Sequence, residues 1–218
     1  MKFSRLPLSD PPPGGLVFVV DDDESVRRSL SRLLRSARLP AETFGSAQAY
    51  LDRAIYDRPS CLVLDVRLPD LDGLALQRAL ADREEQIVFI SGHSDVPMCA
   101  QAMKAGAVDF LTKPVDDKAL LAAVTRALER SAKIRRAKAE RAGARARLDR
   151  LTPREFEVLQ RVIAGLLNKQ IAAELGAAEK TVKIHRGRVM EKMGVTSVAE
   201  LVRLAQAAGV APPVAPYS

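Results

Sequence analysis

The chain has 218 residues, with 34 Lys and Arg against 27 Asp and Glu, a formal charge of +7 and two cysteines. So few cysteines exclude a disulfide-built scaffold, and no apolar run approaches the roughly 20 residues of a membrane span. The charge is unevenly divided: residues 1–128 carry 16 basic and 18 acidic side chains, residues 129–218 carry 18 and 9, which predicts two domains, the second facing a polyanion such as nucleic acid.

Residues 1–15 end in DPPPGG and predict a disordered leader, because proline removes backbone donors and cannot sit in a helix interior or central strand. No charged, apolar, small-residue targeting segment precedes residue 15, and a cytoplasmic protein is expected. Strands are predicted near 16–20, 41–44, 61–65, 86–91 and 107–111. LVFVV, CLVLD and IVFIS are short and apolar, as in strands buried on both faces of a parallel sheet. Val26, Leu30, Leu33 and Leu34 follow helical spacing, as do Leu74, Leu76 and Leu80, so the first half alternates βαβ units. Cys61 falls in a buried strand and Cys99 on a helix, where packing accounts for both. A last helix starts near Asp116 or Asp117 and meets no stop until about Leu148. Its stretch 131–150 holds eight Lys or Arg, two acids and many Ala, which predicts a helical linker with little core-forming surface.

A second domain begins at Leu151. Thr152 with Glu155 forms a capping box, and Pro153 stands at the first helical position. Phe156, Leu159, Val162 and Ile163 give this helix its apolar face, and Gly165 ends it. Asn168 is predicted to cap a second helix carrying Ile171, Ala172 and Leu175, with Gly176 as its stop. A third runs from about Glu179 to Met193 and stops at Gly194. Ser197 with Glu200 opens a fourth, bearing Leu201, Val202 and Leu204. Four short helices over 151–210 predict an all-α helix-turn-helix domain, followed by a disordered tail at 211–218.

Polar residues close the strands of the first half: Asp21 and Asp22 after LVFVV, Asp65 ending CLVLD, Ser91 ending IVFIS, and Lys113 in FLTKP. Ligands of an open α/β sheet sit beyond the carboxyl ends of its strands, so these residues are expected to converge. Three carboxylates brought together repel unless a divalent cation compensates them, and a cation with a hydroxyl beside them suits phosphoryl groups. With these five residues, residues 16–130 resemble the receiver domain of two-component response regulators. The resemblance implies a flavodoxin-like α/β fold with a five-stranded parallel sheet, and Asp65 as phosphoacceptor from a sensor histidine kinase. It implies Mg2+ held by Asp21, Asp22, Asp65 and the Arg67 backbone carbonyl, with Ser91 and Lys113 assisting transfer and a cis Lys113–Pro114 bond. Ser91 and Phe110 would form the switch, and Val96, Met98, Met103 and Lys104 a dimerisation surface. His93 reads as a loop residue. A hydrolase of the haloacid dehalogenase type also uses Asp and Mg2+, but it places a second Asp where Arg67 stands and requires a substrate cap. A degenerate, phosphorylation-independent receiver conflicts with the intact set of five.

Residues 151–208 resemble the LuxR-type helix-turn-helix, through LTPREFEVLQRVIAGLLNKQIAAELG and KTVKIHRGRVMEKMGV. Together the two halves resemble the NarL/FixJ architecture: receiver 16–130, helical linker 131–150, DNA-binding domain 151–210. This implies a third helix in the major groove of double-stranded DNA, with Lys183, Ile184 and Gly187 at base-facing positions. Asn168, Lys169, Thr181, His185, Arg186 and Arg188 are the candidates for phosphate contacts. A homodimer on phosphorylation and RNA polymerase are the further partners implied, with no membrane partner. Two positions depart from the pattern: Gly187 has no side chain to read a base, and Ala178 stands where a capping Ser is usual.

Overall fold

A computed structural model describes residues 14–92 and 96–212 of the chain. The proposed leader and tail, except for residues 14, 15, 211 and 212, lie outside the described residues, as does His93. The chain divides into two compact units, Met1–Arg135 and Arg136–Ser218.

In the first unit, β1 (Leu16–Val20), β2 (Ala41–Phe44), β3 (Ser60–Asp65), β4 (Ile87–Ser91) and β5 (Asp109–Thr112) form one sheet in the order β2-β1-β3-β4-β5. Every pairing is parallel, which is the flavodoxin-like arrangement. Because side chains alternate across a strand, the sheet fills two cores. Phe18, Val20, Leu62, Leu64 and Phe89 join Tyr50, Leu76 and Ala102 on one face, supplied by α2 (Ala47–Leu51), α3 (Gly73–Ala79) and α4 (Val96–Lys104). Val17, Val19, Cys61, Val63, Val88 and Ile90 join Leu30, Leu34, Leu120, Val124 and Leu128 on the other, supplied by α1 (Glu24–Ser36) and α5 (Asp117–Leu148). The three central strands have no solvent face, which is why they read as continuous apolar runs. Under Phe18 and Tyr50 lies Arg53, its guanidinium 4.4 Å and 4.2 Å from the two ring centroids. Its charge is matched by Glu85 at 2.6 Å, as a buried cation requires.

Strand bounds differ from expectation mainly at β5, which starts two residues later than predicted, at Asp109. Met98 packs against the first core, whereas Met103 is exposed. The predicted surface patch therefore keeps Val96, Met103 and Lys104 exposed, with Met98 half-buried against the core.

The second unit packs α6 (Pro153–Ile163), α7 (Asn168–Leu175), α8 (Glu179–Met193) and α9 (Val198–Ala207) around Val158, Leu159, Ile171, Val182, Val189, Met193 and Leu201. Ala144 and Leu148 of α5 belong to the same core, so the stretch expected to have little core-forming surface contributes directly to it. The Thr152–Glu155 box is complete: Thr152 Oγ1 accepts the Glu155 N–H at 3.3 Å, and Glu155 Oε2 accepts the Thr152 N–H at 2.9 Å. Two other expected caps differ. Asn168 is the first residue of α7 rather than its cap, and the Leu167 N–H is satisfied instead by the Gln170 side chain at 2.8 Å. At α9, Ser197 Oγ accepts from Glu200 N, but the returning carboxylate of Glu200 accepts from Thr196, one residue earlier than a closed box requires.

Candidate functional site

β1 and β3 lie side by side, so Asp21, the residue after β1, and Asp65, the last residue of β3, end together at one edge of the sheet. Oxygen atoms of Asp21, Asp22 and Asp65 come within 4.8 Å of one another. Asp21 and Asp65 are buried and Asp22 is exposed. Each buried carboxylate divides its oxygens in the same way. Asp21 Oδ1 accepts from the Asp23 N–H at 2.9 Å and Oδ2 from Lys113 Nζ at 2.6 Å. Asp65 Oδ1 accepts from the Arg67 N–H at 3.0 Å and Oδ2 from the same Lys113 Nζ at 2.5 Å.

Lys113 is aimed by its backbone. Its N–H donates to the Ser91 carbonyl at 2.8 Å, and the Lys113–Pro114 peptide is cis, as the sequence resemblance implied. Ser91 is buried at the end of β4, opposite Thr112 of β5. The structure thus brings Asp21, Asp22, Asp65 and Lys113 into one cluster, with Ser91 tied to it through the backbone. Burial holds the Asp21 carboxyl above the usual carboxylate range, against the lowering pull of Lys113 and the Asp23 amide. For Lys113, burial pulls downward, but its bonds to Asp21 and Asp65 more than offset it and hold the ammonium above the ordinary lysine value.

The donor set fits a small hard cation. One oxygen from each of the three acids lies within 4.8 Å of the other two, a compact all-oxygen set of the kind such an ion takes. Three carboxylates, one of them open to solvent, supply the oxygen ligands that such an ion prefers while leaving room for water.

Four residues that shape this site carried no signal recognised in the sequence. Arg27 Nη1 donates to the Asp21 and Asp22 carbonyls at 2.7 Å and 2.9 Å. Asp23 caps α1, accepting from Ser25 N at 2.7 Å. Asp70, in the loop after β3, accepts from Ala47 N and Gln48 N and so caps α2 from a distant part of the chain. Gly73 begins α3 directly against the Asp65 carbonyl. Asp23 stands where a cap precedes the apolar periodicity of α1 and Arg27 lies four residues after it, a local signal that could have been read; the last two act through tertiary contact.

Phe110 is half-buried, its ring 6.1 Å from that of Phe89. In the second unit, Lys183, Ile184 and Gly187 are all exposed on α8, and a Cβ at Gly187 would meet nothing within 4 Å. Lys169, Thr181 and Arg188 are exposed as well. Asn168 and Arg186 are engaged with each other, Arg186 Nη1 donating to Asn168 Oδ1 at 3.0 Å. His185 is half-buried, with Nδ1 withdrawn from solvent and unpartnered among the described residues. Ala178 precedes α8 without a side-chain cap. No helix among the described residues is long and apolar enough to cross a membrane.

Comparison with known proteins finds a match for each half of the chain. Residues 17–125 match the response regulator receiver domain, and residues 149–205 match the luxR family of bacterial regulatory proteins. Nodulation protein W of Bradyrhizobium diazoefficiens is 51% identical, over 89% of this chain and 87% of its own. The transcriptional regulatory protein FixJ of Azorhizobium caulinodans is 44% identical, over 90% of this chain and 94% of its own. The solved structure of the response regulator StyR superposes with a TM-score of 0.81 at 47% identity, covering 88% of this chain and 98% of that one.

Proposed function

The chain belongs to the response regulators of two-component systems, joining a receiver domain to a LuxR-type DNA-binding domain, and from that premise we propose that phosphorylation of Asp65 by a sensor histidine kinase switches its dimerisation and DNA binding. One observation carries the reading: Lys113 Nζ lies between Asp21 and Asp65 at the convergent strand ends. In the transfer, an Asp65 oxygen attacks the phosphorus of the kinase phosphohistidine. The P–O bond forms as the P–N bond breaks, and the imidazole nitrogen keeps the electron pair. The Lys113 ammonium, already against Asp65 Oδ2, is placed to offset charge on the incoming phosphoryl oxygens. The buried Ser91 hydroxyl at the end of β4 donates to one of them, and Phe110, packed on Phe89, follows its movement. Asp21, Asp22, Asp65 and the Arg67 carbonyl would hold Mg2+, which when bound supplies further neutralisation of the phosphoryl oxygens.

Residues 16–130 then act as input, 131–150 as connector and 151–210 as output. Lys183 and Ile184 read base edges, beside the bare backbone of Gly187. Asn168, Lys169, Thr181, His185, Arg186 and Arg188 bind phosphates of double-stranded DNA and set the register. A homodimer working with RNA polymerase in the cytoplasm completes the scheme. Reversing the switch from mostly off to mostly on takes about 5.5 kcal/mol of differential stabilisation, which the new phosphate contacts and a dimer interface supply together. The test treats wild type and Asp65→Asn with phosphoramidate and Mg2+, then measures sedimentation and operator binding. Wild type is expected to dimerise and gain affinity while the variant does neither; identical behaviour of the two rules the switch out.

A further inference from the structure

Arg27 lies on the first turns of α1, half-buried, and is not itself a member of the acidic cluster. Its Nη1 nonetheless spans the loop that carries two of the three acids, donating to the backbone carbonyls of both Asp21 and Asp22. The guanidinium sits against Gly45, where a Cβ would meet Nη1 at 3.5 Å and Cζ at 3.6 Å. We propose that Arg27 is the positioning residue of the cation site: by fixing the peptide planes after Asp21 and Asp22, it sets the direction in which both carboxylates leave the backbone. This rests on the acidic cluster holding Mg2+, as argued above.

The need for such a device differs between the two acids. Asp21 has its own anchors, the Asp23 amide and Lys113. The Asp22 side chain is exposed and makes no hydrogen bond among the described residues, so its placement depends on its backbone. With both carbonyls tied to one rigid planar group, that backbone has little freedom left. Outer-shell partners of this kind, which orient ligands without touching the metal, are worth about 10–100-fold in metal affinity. An opposing effect comes from charge, since a guanidinium close to a divalent cation repels it. The two effects predict opposite signs on removal of the side chain.

The experiment measures Mg2+ binding by calorimetry on the full chain as wild type, Arg27→Ala and Arg27→Lys. It adds metal-free thermal melting and the rate of phosphorylation by phosphoramidate across Mg2+ concentrations. Arg27→Ala is expected to weaken Mg2+ roughly tenfold, to raise the half-saturating Mg2+ concentration in parallel, and to keep the rate at saturation within about twofold. Arg27→Lys, which keeps the charge and a donor, should recover most of the affinity. Unchanged or tighter Mg2+ binding by Arg27→Ala, with wild type binding normally, overturns the inference alone. So does a fall in metal-free melting together with the saturated rate, which would mark a general structural role. If wild type fails to bind Mg2+, the reading of the cluster fails and takes this inference with it.

Discussion

A Cβ built on Gly73 would stand 2.7 Å from the Asp65 carbonyl oxygen and 3.0 Å from Val66 Cα. Neither neighbour can yield, because both are backbone at the end of a buried central strand, and the Gly73 N–H is bonded to the Val66 carbonyl at 2.8 Å. Gly73→Ala should therefore displace Asp65, the residue proposed as phosphoacceptor. The expected cost is about 1–3 kcal/mol of stability, the usual range for forced overpacking, with the rate of phosphorylation by phosphoramidate falling at least as sharply. A variant with wild-type melting and wild-type rate would show that the strand end relaxes freely. Gly73 exposes the limit of reading residues singly. Asp21, Asp22, Asp65, Ser91 and Lys113 were legible because each closes a recognisable strand. Gly73 acts by making room for a residue eight positions earlier in the sequence, and nothing in its local pattern separates it from an ordinary helix-start glycine.

Elements set by periodicity and capping were legible for the same physical reason that they form. The Thr152–Glu155 box is local, and the structure contains it as read. Asn168 was misplaced because its short polar side chain suits a cap, whereas here it is used across helices by Arg186. The cap on α2 from Asp70 could not be read from the sequence at all, since donor and acceptor lie 22 and 23 residues apart. Glu155 also has a second, unannounced partner: Lys192 of α8 donates to its Oε2 at 2.6 Å, joining the start of α6 to the end of α8. The Lys192 ammonium foremost, then the Thr152 amide, holds the buried Glu155 carboxyl below its ordinary value of 4.5. A carboxyl depressed in the folded state contributes its stability in full above the unfolded value and loses it as pH falls through the folded one. The difference in melting between wild type and Glu155→Gln should therefore be greatest near neutral pH, corresponding to about 1–3 kcal/mol, and shrink below pH 4.5. Circular dichroism melts from pH 7 down to pH 3 check this, and parallel curves for the two proteins would exclude the linkage.

At the scale of the whole molecule, charge and chemistry are partitioned together. The half with the acidic cluster is nearly neutral, whereas the half with α8 carries twice as many basic as acidic side chains. An interaction with DNA through that half must release counterions from the phosphate backbone, and the number released appears as the salt dependence of binding. The structure limits which cations count. Lys192 is engaged by Glu155, Arg161 by Glu174 and Arg154 by Glu157, so the formal charge overstates what reaches DNA. Of the residues assigned to phosphates, Lys169 and Arg188 are exposed, and Arg186 has only one nitrogen committed, to a neutral amide. Three cations per subunit in a dimer correspond to about six phosphates and a slope of log K against log salt of about −5. Fluorescence anisotropy on a labelled operator over a salt series checks the value. Arg188→Ala should reduce the slope by about 2 for the dimer while leaving the preference among sequences unchanged. Lys183→Ala, by contrast, should narrow the affinity gap between operator and unrelated DNA. If Arg188→Ala alters sequence preference and Lys183→Ala alters only the slope, the base-facing side of α8 lies one position away from the one assigned.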